Sequence, residues 1–477
     1  MFEIAVPYHN YTQTLAEAAV ASLTAGVDSN CGGVFASSLG GAPAAAIDTA
    51  VQRVLELRIK LGLLDEGVGW SQIGLEAVDS QAHRDLALRA ARESITLLKN
   101  TNGTLPLPGN IKHLAMVGPF ANASKNQLGG YHGTPPFVIS PLAAMRKLLP
   151  PQVKLTHAMG CTVLNCTAES LAAATAAVAG ADAVVLGRGL CGNNYPQDAD
   201  PGCAPQLLSN NSEHEGTDRA SLKLTAAQAQ LAAHVAAAAQ GSPLVLFLQN
   251  AAPIDLGATE NAMSAIVWAG QGGQSGGQAL AEVLLGHYNP GGSLPYTVYP
   301  QSFADAVRYD VMSMRAPPGR TYKFYDGSAG KPLYEFGWGL SFTSWAIEWA
   351  TPPPTVLSSD KAVSFGVKVR NIGKRTGGKV ILGFVRFSNT TAVRPPTKQL
   401  FAFARVENVT AGASTIVSLA LTDRDVSVVD ASGERLVPQG TVECVVSTGE
   451  APISPAGCAA SSGRGAALCR RCVGIRC

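Results

Sequence analysis

One stretch of the chain gathers side chains able to do acid–base chemistry: Ser212-Glu213-His214-Glu215-Gly216-Thr217-Asp218-Arg219. Three carboxylates, a histidine and an arginine within seven residues stand out where only 15% of residues are charged. A carboxylic acid here can keep its proton near neutrality if burial or neighbouring carboxylates raise its pKa, which a general acid needs. Arg219 could pair with Asp218 and fix the loop. On spacing alone, a solvated acidic loop capping the next helix is the plainer reading. Zinc is a poor fit, because H-x-x-x-H and paired cysteines are absent from the stretch. A second feature, Gly270-Gln271-Gly272-Gly273-Gln274-Ser275-Gly276-Gly277, lies between a strand and a helix, where a phosphate cradle is conceivable. It misses G-x-G-x-x-G at Ser275 and has no P-loop lysine, and Gly187-Arg188-Gly189 also fails the dinucleotide pattern. Glycine at 270–277 then serves close packing, and no cofactor or metal is expected.

The elements that must position these residues alternate between strand and helix from about 85 to 345. His113–Val117, Ala181–Leu186, Pro243–Leu248 and Ala265–Trp268 are short apolar strands, and helices are expected over 167–179, 225–239 and from about Gln278. Continuous apolar strands between Ala-rich helices imply a buried parallel sheet, hence an α/β (αβα) sandwich. Ligands of such sheets meet the loops at the carboxyl ends of strands. The loop after Leu186, more than thirty residues long and carrying the acidic stretch, is the one to examine.

Residues 12–62 read as an αβα remnant. A helix starts at 11–14 and runs through Ala25, Gly26-Val27-Asp28 is a strand-like exit, and a second helix carries Ile47, Val51, Val54, Leu55 and Ile59. Fifty such residues cannot close a core. After Thr351-Pro352-Pro353-Pro354 the pattern alternates at 363–369, 380–385 and 416–421, which reads as a small β-sandwich over 358–448. The Gly/Ala/Ser-rich tail from Ser454 reads as disordered, its lone Cys469-Arg470-Arg471-Cys472 being weak evidence for zinc.

A chain of 477 residues has room for about three domains. Its 46% hydrophobic content excludes a disordered chain. A formal charge of +2 gives no electrostatic reason to expect nucleic acid or an anionic membrane as partner. The best candidate for a membrane span, Leu171–Leu186, is interrupted by Asp182 and reads as a helix plus a buried strand. Seven N-x-[ST] sequons occur, at Asn10, Asn102, Asn122, Asn165, Asn210, Asn389 and Asn408, where chance would give about two or three. Ten cysteines point the same way: Cys161 and Cys166 are close, and Cys191 and Cys203 bracket a Pro/Asp/Gly-rich loop that a disulfide could staple. The alternative is that both pairs are reduced. Met1–Pro7 lacks the basic and apolar regions of a signal peptide, so secretion chemistry meets no export signal here.

Several motifs in order resemble glycoside hydrolase family 3. Glu93–Asn100 with Leu105-Pro106-Leu107 and Val117-Gly118-Pro119 is similar to the opening of that family's α/β-sandwich domain. Asn289-Pro290-Gly291-Gly292-Ser293-Leu294-Pro295 and Tyr334–Phe342 resemble its closing motifs, and the segment after 350 its fibronectin type III-like domain. Gly160-Cys161 with Cys166, and 213–219, resemble the β-xylosidase/α-arabinofuranosidase branch. The resemblance covers about 11–450. It implies a (β/α)₈-barrel remnant at 1–64, a linker at 65–84, the α/β sandwich at 85–345, a fibronectin type III-like β-sandwich at 350–450 and a low-complexity tail at 454–477.

It also implies a secreted, exo-acting retaining glycosidase of the cell wall, β-D-xylosidase-like, acting on xylan-type oligosaccharides or aryl glycosides. Glu213 is the candidate acid/base with Glu215 as runner-up, and Asp218 and Arg219 support the loop. The family's nucleophilic Asp and the barrel's Lys-His motif are expected upstream of Met1, so the chain reads as an inactive C-terminal portion. The 191–203 insertion is unlike the compact version in relatives. Two other readings stay open: a non-catalytic carbohydrate-binding or scaffold protein on the same domains, and a nucleotide-using α/β enzyme supported only by the Gly-rich turn.

Overall fold

The computed structural model describes residues 10–192, 200–203, 212–213, 219–308, 310–354, 357–358, 362–388, 394–430, 432–438, 441–450, 468–473 and 475–476. They form two compact units, one of residues up to His83 with 307–313, the other of the remainder.

The first unit holds α1 (Leu15–Thr24), α2 (Val34–Ser38) and α3 (Ala44–Lys60). Thr14 starts α1 with a capping box: its hydroxyl accepts from Glu17 N–H, and the Glu17 carboxylate accepts from Thr14 N–H. Gly26-Val27-Asp28 forms no strand, a correction to the αβα expectation, because among the described residues of this unit there is no strand for it to bond. Along α3 the apolar side chains Val51, Leu55, Leu57 and Ile59 are each at least 46% exposed, so this helix buries little. The segment 65–84 contains short 3₁₀ turns at Gly69–Gln72 and Leu75–Ala77, and α4 (Gln81–Ser94) begins within it.

The second unit opens on a six-stranded sheet. Its strands are β1 (Thr96–Asn100), β2 (His113–Val117), β3 (Lys154–Ala158), β4 (Ala183–Gly189), β5 (Leu244–Gln249) and β6 (Ala265–Trp268), in the order β1-β6-β5-β4-β2-β3. Helices α5 (Pro141–Leu148), α6 (Ala168–Val178), α7 (Ala226–Ala238), α8 (Thr259–Ala262) and α9 (Gly276–Leu285) connect and cover them. Five strands are parallel, and β1 runs antiparallel to β6, so the sheet is parallel with one antiparallel edge. The apolar runs mark the inner strands. The edge strand β3, Lys-Leu-Thr-His-Ala, has only intermediate and exposed residues and therefore no apolar run to read.

Alternation along β4 splits two cores. Ala183 and Val185 face one layer with Phe120, Phe247 and α9, while Val184 and Leu186 face the other with Leu231, Val235 and Leu246. The chain leaves β2 for β3 on one side and returns across it to β4 on the other, so the strand order reverses between β2 and β4. That reversal opens a crevice at the carboxyl ends. The approach there is close: a Cβ on Gly118, at φ +112°, would lie 2.2 Å from the Gly187 carbonyl oxygen.

The β-sandwich begins before the proline run, with β7 (Trp345–Thr351). After β8 (Leu357–Ser358), strand β9 (Val363–Asn371) pairs with β7 and with β12 (Ser414–Leu421). The facing sheet holds β10 (Gly377–Ser388) and β11 (Gln399–Val409). Beyond a short pair, β13 (Val428–Val429) and β14 (Arg435–Leu436), it is completed by β15 (Thr441–Ser447) and β16 (Leu468–Val473). Strand β16, and β17 (Ile475–Arg476) beside β8, correct the reading of the tail's end as disordered: the free edge of β15 offers ladder partners to a Cys/Val/Ile-containing segment. Against the α/β layer, Gly339 N–H donates to Gly449 O at 3.1 Å, and the fully buried Lys379 ammonium donates to Gly339 O and pairs with Glu450 at 3.5 Å. No described helix is long and apolar enough to cross a membrane.

Candidate active site

At the carboxyl ends of β4, β5 and β6, three exits converge on one residue, Glu213. The exit of β5 is Asn250-Ala251-Ala252. Asn250, 1% exposed, donates its amide to Ala252 O at 2.6 Å, and its own carbonyl accepts from the Trp268 indole at 2.9 Å. This turn presents two adjacent main-chain N–H groups. Ala251 N–H donates to Glu213 Oε1 at 2.7 Å and Ala252 N–H to Glu213 Oε2 at 2.6 Å. From the exit of β6, Gln271 Nε2 donates to Glu213 Oε1 at 3.2 Å. From the exit of β4, Cys191 O accepts the Glu213 N–H at 2.9 Å.

The electrostatics of Glu213 are a contest. Burial disfavours the carboxylate, while the Ala252 and Ala251 N–H groups and the Arg219 charge favour it. Burial wins, and the carboxyl is pushed up to about 7. Glu213 as a whole residue is only partly buried, while its carboxyl group lies largely out of water. Arg219 donates Nη1 to Pro253 O at 3.0 Å, and burial lowers its own pKa. Tyr296, whose phenol burial raises, lies within range of both charges. Trp268, Tyr296, Asn250 and Leu248 line a cavity of about 10 Å³ beneath the site, room for about one water. A carboxyl group half-protonated near neutrality can deliver a proton and take it back.

Cys191–Cys203 is a disulfide, as is Cys161–Cys166. Glu215, Asp218, Asn210 and Asn389 lie outside the described residues. Asn10, Asn102, Asn122, Asn165 and Asn408 are exposed. The helix-side end of the Gly-rich turn is closely packed, a Cβ on Gly277 lying 2.2 Å from Ile139 O, whereas one on Gly273 would meet nothing within 4 Å. Among the described residues no group of three or more His, Cys, Asp or Glu could hold a metal. The structure adds site residues that the sequence did not mark. The Ala251 and Ala252 donors are main-chain groups without a side-chain signature. Gln271 lies inside the Gly-rich turn, and its amide has no motif that marks it in the sequence.

Comparison with known proteins gives the following. Residues 95–342 match the family model of the glycosyl hydrolase family 3 C-terminal domain, and residues 379–450 match that of the fibronectin type III-like domain. Beta-D-xylosidase 1 of Arabidopsis thaliana is 33% identical over 476 residues, covering 90% of this chain and 58% of the relative. Beta-xylosidase/alpha-L-arabinofuranosidase 2 of Medicago sativa subsp. varia is 32% identical, covering 90% and 57%. The chain thus spans somewhat over half the length of these relatives. Among solved structures, a family 3 exo-beta-xylosidase in complex with a xylobiose aziridine probe superposes with a TM-score of 0.76 at 24% identity, covering 100% of this chain and 60% of that one. A beta-glucosidase from Erythrobacter marinus gives 0.73 at 26% identity, covering 100% and 62%.

Proposed function

The chain belongs to glycoside hydrolase family 3, and we propose that within it Glu213 is the acid/base of an exo-acting, retaining β-xylosidase-like reaction. The observation that carries this reading is the Glu213 carboxyl, pushed up to about 7 where it sits on the donors of Ala251, Ala252 and Gln271 at the carboxyl ends of the parallel strands. Curated relatives named xylosidases support the substrate class, a xylose-type oligosaccharide or aryl glycoside. Glu213 protonates the leaving glycosidic oxygen, then takes a proton from the water that completes turnover. Retention needs a second carboxylate about 5 Å away as nucleophile. Among the described residues the charge acting on Glu213 comes from Arg219, not from another carboxylate. The reading assigns the nucleophile to the part of the relatives' length that this chain does not span, with 1–64 as the end of a (β/α)₈ barrel, 65–84 as linker and 85–345 and 350–450 as the two following domains. It makes the protein extracellular, with glycans on its exposed sequons.

In an enzyme that joins this chain to a family 3 barrel, Glu213→Gln is expected to lower kcat/KM on 4-nitrophenyl β-xyloside by about 10²–10⁴-fold. Activity on 2,4-dinitrophenyl β-xyloside, whose leaving group needs little protonation, is expected to fall far less. Uniform loss on both substrates, or none, refutes the role. The same leaving-group dependence in Glu215→Gln instead moves the role by two residues. Turnover by the 477-residue chain with a burst of aglycone would reveal a nucleophile inside it.

A further inference from the structure

Among the described residues the Glu213 N–H is held by Cys191 O, so what holds Cys191 helps to hold the candidate acid. A side-chain amide brackets that residue. Asn126 Nδ2 donates to Leu190 O at 3.1 Å, and Asn126 Oδ1 accepts Gly192 N–H at 2.9 Å. The two partners fix the orientation of the amide, since a carbonyl requires the donor and an N–H the acceptor. Asn126 is 2% exposed, so neither bond is exchanged with water. Two residues back along the chain, the Gln228 amide accepts the N–H of Gly189 at 3.1 Å and donates to its carbonyl at 2.9 Å. Where β4 leaves the sheet and loses ladder partners, two buried amides replace them.

Asn126 is itself held from the disulfide loop. The Asp200 carboxylate, 5% exposed, accepts the N–H groups of Ser124, Lys125 and Asn126 at 2.9, 3.3 and 2.7 Å. Asp200 O accepts Cys203 N–H at 2.8 Å, and Cys203 is bonded to Cys191. The circuit closes: Cys191, Cys203, Asp200, Asn126 and back to the flanks of Cys191. Contact at 192 carries any displacement directly to the acid. A Cβ on Gly192 would lie 2.2 Å from Gln271 Nε2 and 3.4 Å from Glu213 Cγ.

We infer that Asn126, locked by Asp200, is a positioning residue for Glu213, acting through the Cys191 carbonyl to keep the carboxyl group seated on Ala251, Ala252 and Gln271. This rests on the reading of Glu213 as the acid/base. A shift of about 1 Å in such a group costs on the order of 10²-fold in rate.

The test uses the 477-residue chain and two readouts remote in sequence from Asn126. One is hydrogen exchange at Ala251 and Ala252, whose N–H groups end on Glu213. The other is the titration of Glu213 by carboxyl ¹³C NMR, its signal identified by loss in Glu213→Gln. Asn126→Leu is expected to speed exchange at 251–252 by about three- to tenfold, the worth of one hydrogen bond. It is also expected to move the Glu213 midpoint away from about 7, since entering water lowers it and loss of the Ala251 and Ala252 donors raises it, with Arg219 and Tyr296 facing it as before. Asp200→Asn, a milder isosteric change, is expected to move both in the same direction by less, and it decides the matter should Asn126→Leu not fold. Unchanged exchange and midpoint in a folded variant overturn the inference. If these readouts move while Glu213→Gln shows no leaving-group dependence, positioning stands and the acid/base reading falls. Leaving-group dependence with unmoved readouts gives the reverse.

Discussion

Removing the ionisable group at Glu213 is expected to change how stability depends on pH, and the size of the effect follows from the site. Burial holds the folded carboxyl at about 7 against an ordinary 4.5, so the folded state binds this proton more tightly than the unfolded chain does. A group raised in this way contributes stability that is complete below the unfolded value and is lost as pH climbs through 4.5 to 7. The difference of 2.5 in pKa corresponds to about 3 kcal/mol. Partial exposure of the side chain reduces this through solvent screening to about 2 kcal/mol. The assay is urea unfolding of the wild-type chain and Glu213→Gln at pH 4.5 and pH 8. Other carboxylates titrate equally in both proteins and cancel in the difference. Relative to wild type, Glu213→Gln should gain about 2 kcal/mol on going to pH 8. A difference that stays constant with pH would refute the claim that burial dominates. A relative loss for the variant at pH 8 would show that the Ala251 and Ala252 N–H groups win and hold the carboxylate ionised.

Further outcomes concern the β-sandwich and the disulfides. Lys379 is fully buried and meets Glu450 at 3.5 Å, and burial pushes each toward its neutral form. Glu450→Ala should destabilise the β-sandwich by about 3 kcal/mol by leaving a buried charge unpaired, whereas Lys379→Met with Glu450→Leu should cost about 1 kcal/mol or less by urea unfolding. Cys191 and Cys203 are 12 residues apart, so replacing both by Ser is expected to cost about 3 kcal/mol in the chain-entropy picture. Non-reducing peptide mapping of protein made in an oxidising compartment should recover the 191–203 and 161–166 links, and free thiols there would contradict both.

Much of the α/β layer was legible because its inner strands are buried on both faces. Val-Val-Leu at 184–186 and Leu-Val-Leu-Phe-Leu at 244–248 can only be continuous apolar runs in that setting. Strand β3 was not legible, since an edge strand half in solvent has no composition of its own, and the antiparallel direction of β1 is a matter of connection, not of residue type. Val27-Asp28 shows the converse: extended local preference without a neighbour leaves no strand.

For the site, the sequence by itself marked the acidic stretch holding Glu213, the paired cysteines on either side of a Pro/Asp/Gly-rich loop and the sheet whose carboxyl ends should receive it. These are properties of residue type and spacing, visible before folding. Which groups meet the Glu213 carboxyl was decided only in three dimensions. Ala251 and Ala252 contribute main-chain N–H groups that any residue but proline carries. Asn126 and Asp200 are ordinary turn and loop residues until the pairing of β2 with β4 and the 191–203 link place them at the exit of β4. A pKa near 7 likewise is not given to a carboxyl group by its residue type, because it is the balance of lost hydration against nearby donors, and that balance exists only once the chain has closed around the group.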